Sequence, residues 1–116
     1  MVTITSNSGV VTGDSGEYTI TYGGYKAGAL MFLFDVDIGT ASIIEFNIAI
    51  KFANYDDYYN LSKLVGSSLE VDAFEVTASG RYAYPLSLPF NIESISLNVS
   101  VSSSAECSVN VDMEEA

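Results

Sequence analysis

Paired carboxylates are the residues whose type and spacing could support acid–base chemistry in this chain. Three pairs stand close together in the sequence: Asp35/Asp37, Asp56/Asp57 and Glu70/Asp72. A glycosidase needs two carboxylates across a cleft, and sugar clefts favour tryptophan platforms. The chain has no tryptophan, and it has no histidine, the commonest general base. We therefore interpret the pairs as strand-end and loop charges and expect no enzymatic activity.

Asp56 and Asp57 are the best candidates for a metal site, because calcium takes carboxylate and carbonyl oxygens from loops. The apolar residues next to Asp35 and Asp37 indicate a strand rather than a chelating loop. A structural calcium ion at Asp56 and Asp57 is the less favoured interpretation, and we predict no cofactor.

Three of the eight tyrosines fall in one irregular segment, 54–66, beside this acidic pair: Tyr55, Tyr58 and Tyr59. Tyrosine is enriched at protein interfaces, and its ring can also stack on sugars. Two interpretations stay open. The three side chains form a contact surface, or one or two of them close the open end of a sandwich.

The elements that must position these residues are β-strands. In 44–52 every second residue is apolar: Ile44, Phe46, Ile48, Ile50 and Phe52. Successive side chains of a strand point to opposite faces of the sheet, so this segment has one buried and one mostly polar face. The same alternation recurs along the chain. It predicts an all-β protein, a single antiparallel β-sandwich of about eight strands. A jelly roll and an immunoglobulin-like sandwich both fit, and the long early strands and the missing Cys–Trp–Cys pattern favour the jelly-roll-like arrangement.

The segment 30–38 is unusual because it is apolar on both faces. Met31 and Leu33 make the second face apolar, which is typical of a strand that is central in its sheet or has its second face covered. Another subunit is one candidate for this cover. Gly39 and Thr40 lead directly into the next strand, so we predict a long hairpin between 30–38 and 43–53.

Length and charge limit the possible functions. The 116 residues suffice for one domain, 1–116, in which residues 1–12 form an edge strand or an N-terminal arm. The net charge of −11, with only four basic residues, argues against nucleic acid and anionic membranes. This charge would attract a cationic protein patch or metal ions, but the favoured interpretation is that it keeps a β-rich protein soluble. No signal peptide is visible, and the apolar stretch 27–34 is too short to span a bilayer. The single cysteine, Cys107, lies in an alternating run that predicts a core residue.

One order of features runs through most of the chain. Gly24-Tyr25 precedes the apolar strand, a Gly-Thr turn and a long alternating strand follow, and the tyrosine-rich segment comes next. The most specific part is the run Tyr84-Pro85-Leu86-Ser87-Leu88-Pro89-Phe90, which leads into a last, serine-rich hairpin. This order resembles the small β-sandwich accessory proteins of tailed-phage virions, and the likeness covers roughly residues 22–112.

The resemblance implies a structural role in a bacteriophage particle. The protein would be made in the host cytoplasm and would decorate or cement the capsid, or form part of the neck or tail. Its partners would be other virion proteins, such as the major capsid protein, and further copies of itself in a homo-oligomer. The alternative is a module that binds carbohydrate or a host surface through Tyr55, Tyr58 and Tyr59.

Overall fold

A computed structural model describes residues 1–7, 9–14, 16–23, 28–88, 91–102 and 104–115. These residues form twelve β-strands and no helix. The strands are β1 Val2–Ser6, β2 Gly9–Gly13, β3 Glu17–Gly23, β4 Gly28–Asp37, β5 Ile44–Lys51, β6 Tyr59–Asn60, β7 Ser62–Val65, β8 Ser68–Val71, β9 Phe74–Val76, β10 Gly80–Leu88, β11 Ser94–Val101 and β12 Cys107–Glu115. Within these ranges, no helix is long and apolar enough to cross a membrane.

Two larger sheets and one small ribbon contain these strands. The first sheet has the order β10-β4-β12-β1-β2. The second has the order β3-β11-β5, and the far edge of β5 is shared by the short strands β6 and β9. The ribbon is the hairpin of β7 and β8. All pairings among the described residues are antiparallel except that of β1 with β12, which is parallel.

The two larger sheets face each other across one hydrophobic core, so the fold is sandwich-like. The alternation along each strand sends its apolar residues into this core, because burying them removes apolar surface from water. Phe34 of the first sheet meets Phe46 of the second at 4.8 Å between ring centroids. Phe74 of β9 stacks on Tyr84 of β10 at 4.5 Å and so closes one end of the core. Cys107 is buried, as its place in the alternating run predicts.

The prediction of a long hairpin between 30–38 and 43–53 is wrong. β4 lies in the first sheet between β10 and β12, whereas β5 lies in the second sheet beside β11. The turn between them is fixed to the segment before β12: the Thr40 amide donates to the Glu106 carbonyl at 2.9 Å, and the Glu106 amide donates to the Thr40 hydroxyl at 2.7 Å. Gly39 has a φ of 53°, and a Cβ there would collide with the Glu106 carbonyl. The last two strands, β11 and β12, likewise lie in different sheets.

The expected number of strands also needs correction. About eight antiparallel strands were expected, and the described residues form twelve with one parallel pair. The difference comes from short strands. The segment 54–66, predicted to be irregular, contains β6 and β7, and the segment 68–78 contains the two short strands β8 and β9.

Residues 1–12 contribute β1 and most of β2, which pair with each other at one edge of the first sheet. Val2 and Ile4 of β1 are fully buried. Two parts of the pattern quoted above, Gly24-Tyr25 and Pro89-Phe90, lie outside the described residues.

Candidate interaction surfaces

The outer face of the first sheet carries an apolar strip, formed by Met31 and Leu33 of β4 with Ala83 and Pro85 of β10. The strand register sets Leu33 directly beside Ala83, and Met31 directly beside Pro85. The inward-facing positions of β4 fill the core, so the alternation of the strand turns Met31 and Leu33 away from it. Leu33 is 44% exposed, and Met31 is half-buried.

Acidic side chains border this apolar strip. On β12, Asp112 lies opposite Leu33, and Glu114 lies opposite Met31. Beyond Leu33, Asp35 pairs with Arg81 at 3.6 Å across β4 and β10, and both side chains are well exposed. Two shallow depressions of about 450 and 310 Å³ lie along the strip, the first bordered by Glu114 and the second by Asp112. The surface is therefore apolar at its centre and negative along one side.

The segment 52–59 brings two of the three predicted tyrosines together. Tyr55 makes edge-to-face contacts with Phe52 at 6.3 Å and with Tyr59 at 6.1 Å between ring centroids. With Ala53 and Asn91 these rings border an open depression of about 600 Å³. We call this the aromatic depression. Tyr55 and Tyr59 keep about half of their surfaces exposed.

Tyr58 does not belong to the aromatic depression. Its hydroxyl shares a hydrogen bond of 2.6 Å with the hydroxyl of Ser94, at the start of β11. This bond joins residues 36 positions apart and holds the tyrosine ring against the second sheet. Asp56 and Asp57 are exposed in the same segment. Within the described part of the chain, no three or more cysteine, aspartate or glutamate side chains are grouped so that they could hold a metal ion. The absence of a cofactor stays a prediction, and a calcium ion at Asp56 and Asp57 stays its less favoured alternative.

A further surface was not predicted from the sequence: the hairpin of β7 and β8. Its register pairs Leu64 with Leu69 and Ser62 with Val71, so these four residues share one face of the ribbon, which we call the hairpin face. Leu64 is 69% exposed and Leu69 is 76% exposed. The signal in the sequence is Gly66 between two short runs that contain leucine and valine. In the structure Gly66 has a φ of 62°, in the left-handed region that favours glycine.

Displaced pKa values belong to side chains in the core. Burial raises the pKa of Tyr22 to about 12, and its hydroxyl donates to the Val111 carbonyl at 3.3 Å. Burial also raises the pKa of the Cys107 thiol, which makes the reactive thiolate scarcer at neutral pH. Tyr84 has a pKa raised by burial and, to a smaller extent, by Asp72.

Comparison of the chain with models of known protein families gives no match, and comparison with curated protein sequences gives none either. Its function is therefore argued from its own surfaces.

Proposed function

We propose that this chain is a non-enzymatic structural protein of a phage virion. It decorates or cements the capsid, or forms part of the neck or tail, through protein–protein contacts. The observation that carries the proposal is the apolar strip of Met31, Leu33, Ala83 and Pro85, which lies on the five-stranded first sheet with acidic side chains beside it. Exposed apolar surface with a polar border is typical of a protein-binding site.

The strand order supports a jelly-roll-like sandwich. After β3 in the second sheet, the chain passes to the first sheet with β4 and returns to the second with β5 and β9. It then enters the first sheet with β10, the second with β11 and the first again with β12. Neighbouring strands follow the orders β1-β12-β4-β10 in the first sheet and β3-β11-β5-β9 in the second. Two interlocked Greek keys have the same orders. This chain differs from them because β1 is parallel to β12 and because β2 is added at the edge. Viral capsid domains and lectins use this architecture, an argument by analogy of fold.

The charge of the surface indicates which partner would bind there. The chain has a net charge of −11, and Asp112 and Glu114 flank the apolar strip. A partner that presents apolar side chains among lysines or arginines would gain both burial of apolar surface and electrostatic attraction. We therefore propose a cationic patch on another coat component as the partner.

The test is to separate virus particles of the source culture on a density gradient and to probe the fractions for this chain. We expect the chain to sediment with the particles in a fixed ratio to the major coat protein. Particles stripped of the chain should bind it again. The variant Leu33→Glu should rebind at least about tenfold more weakly, because binding would bury a charge at the apolar centre of the strip, away from the basic groups that face Asp112 and Glu114.

The matched control is Thr21→Glu, which adds the same charge to the exposed face of β3 in the second sheet. It should rebind like the unmodified chain. A chain that stays in the soluble fraction contradicts the structural role. Equal rebinding of Leu33→Glu and Thr21→Glu would mean that the apolar strip is not the contact surface.

The alternative function, carbohydrate or host-surface binding, is favoured by the aromatic depression. Tyr55 and Tyr59 stand edge to face beside Asn91, and rings with a nearby amide can contact a sugar face and its hydroxyls. This function predicts glycan binding on an array that is lost in Tyr55→Ala and Tyr59→Ala. Tyr58→Phe should retain binding, since Tyr58 lies outside the depression. An array without hits would remove this alternative.

A further inference from the structure

The hairpin of β7 and β8 interrupts the outer edge of the second sheet. β6 and β9 both pair with β5, and the hairpin leaves the edge between them. Its base is closed by backbone hydrogen bonds: the Asp72 amide donates to the Leu61 carbonyl at 2.8 Å, and the Leu61 amide donates to the Ile48 carbonyl at 2.9 Å. The ribbon beyond this base has every residue exposed.

The two faces of this ribbon differ in chemistry. The hairpin face holds Leu64 and Leu69 opposite each other, with Val71 beside them at 43% exposure. The other face holds the cross-strand pair Lys63 and Glu70. A two-stranded ribbon is marginally stable in water, and three strands or a second layer against its apolar face make it stable. The hairpin face thus has the pattern of a surface that needs a second layer.

Charge indicates what this second layer is. The residues Ser62–Val71 carry one lysine and one glutamate, so their net charge is zero, within a chain whose net charge is −11. Lys63, on the face away from the leucines, also pairs with Asp72 at the base of the hairpin at 3.8 Å. Two copies of so acidic a chain repel each other when their acidic surfaces approach. The neutral hairpin is a place where two copies can meet without bringing acidic groups together. A cationic partner gains little there, in contrast to the acidic border of the apolar strip.

We infer that the hairpin face binds the same face of a second copy of this chain. Leu64, Leu69 and Val71 of the two copies pack together about a two-fold axis, and the two ribbons form a small four-stranded, two-layered unit. A two-fold contact of this kind is self-complementary and closes at the dimer. The inference goes beyond the proposed virion role and does not depend on it.

The size of the surface sets the expected strength. The three side chains offer on the order of a few hundred Å² per copy, less than the roughly 800 Å² per partner of a standard interface. The dimer should therefore be weak, with a dissociation constant in the range of about 10 to 1,000 μM. Such contacts become effective when many copies are held side by side.

Light scattering over a concentration series tests this inference on the purified chain. The mass should rise from monomer toward dimer, and the double variant Leu64→Ser/Leu69→Ser should stay monomeric. Val65→Ser is the matched control, since Val65 lies on the opposite face of the ribbon, and it should dimerise like the unmodified chain. Replacing Ser62–Val71 by two glycines should also give a folded monomer, because Leu61 and Asp72 are already joined by a hydrogen bond.

Crosslinking tests the geometry. Ser62 lies on the hairpin face and Ser68 lies on the other face, and both are exposed. With a short bismaleimide, Ser62→Cys should give a covalent dimer and Ser68→Cys should not. The buried Cys107 gives the background in both variants.

Three outcomes would overturn the inference: a monomer at every concentration, dimers that persist in Leu64→Ser/Leu69→Ser, or equal crosslinking of the two cysteine variants. The first outcome would leave the proposed function intact if the chain still sediments with particles. Failure to sediment with particles would leave the dimer intact.

Discussion

The apolar strip on the first sheet and the hairpin face both expose leucine, but they differ in support and in surrounding charge. The strip lies on β4, a central strand bonded on both sides and packed on the core by Phe32 and Phe34. The hairpin face lies on a ribbon of two short strands outside the core. Acidic side chains border the strip, whereas the hairpin is electrically neutral.

This difference shows that exposed apolar area alone does not identify a partner. Apolar side chains supply the attraction in both places, and the charges around them select what can approach. A negative border selects a cationic protein. A neutral patch on an acidic chain suits a second copy of that chain. Rigid support also lowers the conformational entropy lost on binding, so the strip should bind more tightly per unit area than the hairpin.

Salt should therefore act on the two surfaces in opposite directions, and this is the largest effect that we expect. Raising the ionic strength from about 0.1 to about 1 M shortens the Debye length from about 10 to about 3 Å. Rebinding to stripped particles should weaken at least about tenfold, because salt screens attraction to a cationic partner. Dimerisation should strengthen severalfold, because salt screens repulsion between two acidic copies. Sedimentation measures the first and light scattering the second.

Two variants keep these salt effects separate. Leu64→Ser/Leu69→Ser should retain salt-sensitive rebinding to particles while it stays monomeric at every salt concentration. Leu33→Glu should dimerise with the same salt dependence as the unmodified chain. If both surfaces respond to salt in the same direction, the assignment of a different partner to each of them is wrong.

The sequence predicted the strands and their buried faces better than it predicted which strands pair. Alternation is local, so the apolar positions of β5 and the burial of Cys107 could be recognised without knowing the partners. Pairing depends on contacts distant in sequence. Gly39 and Thr40 have the composition of a hairpin turn, yet their bonds to Glu106 hold that turn beside the start of β12.

The same distinction applies to the surfaces. The outward position of Met31 and Leu33 follows from alternation, and their role as an interface stays a prediction. The separation of Tyr58 from Tyr55 could not be predicted, because its hydroxyl partner Ser94 lies far along the chain. The hairpin face could have been found from Gly66 and its flanking leucines. The composition of 54–66 nevertheless predicts one irregular segment, which hides the first strand of this hairpin.

Alkaline pH should act on the sheet that carries the strip and not on the hairpin, with a smaller effect than that of salt. Tyr22 of β3 crosses the core to contact Phe32 of β4 edge-on at 5.9 Å and to donate to the Val111 carbonyl of β12, so it supports the strands that carry the apolar strip. Its pKa is about 12 in the folded chain and about 10 in an unfolded one. The unfolded state therefore loses this proton first. The free energy of unfolding that the protonated Tyr22 phenol contributes is fully present below about pH 10. This contribution is lost as the pH rises from about 10 through about 12.

The variant Tyr22→Phe tests this dependence by urea unfolding at pH 8 and pH 11. At pH 8 it should be less stable by about 1 kcal/mol, the net value of one hydrogen bond. Its further loss at pH 11 should be smaller than that of the unmodified chain, although not zero, because burial also raises the pKa of Tyr84. The variant without the hairpin should lose as much stability as the unmodified chain, since Tyr22 supports the first sheet and not the ribbon. An equal alkaline loss in Tyr22→Phe and the unmodified chain would show that this phenol does not couple pH to the strands that carry the strip.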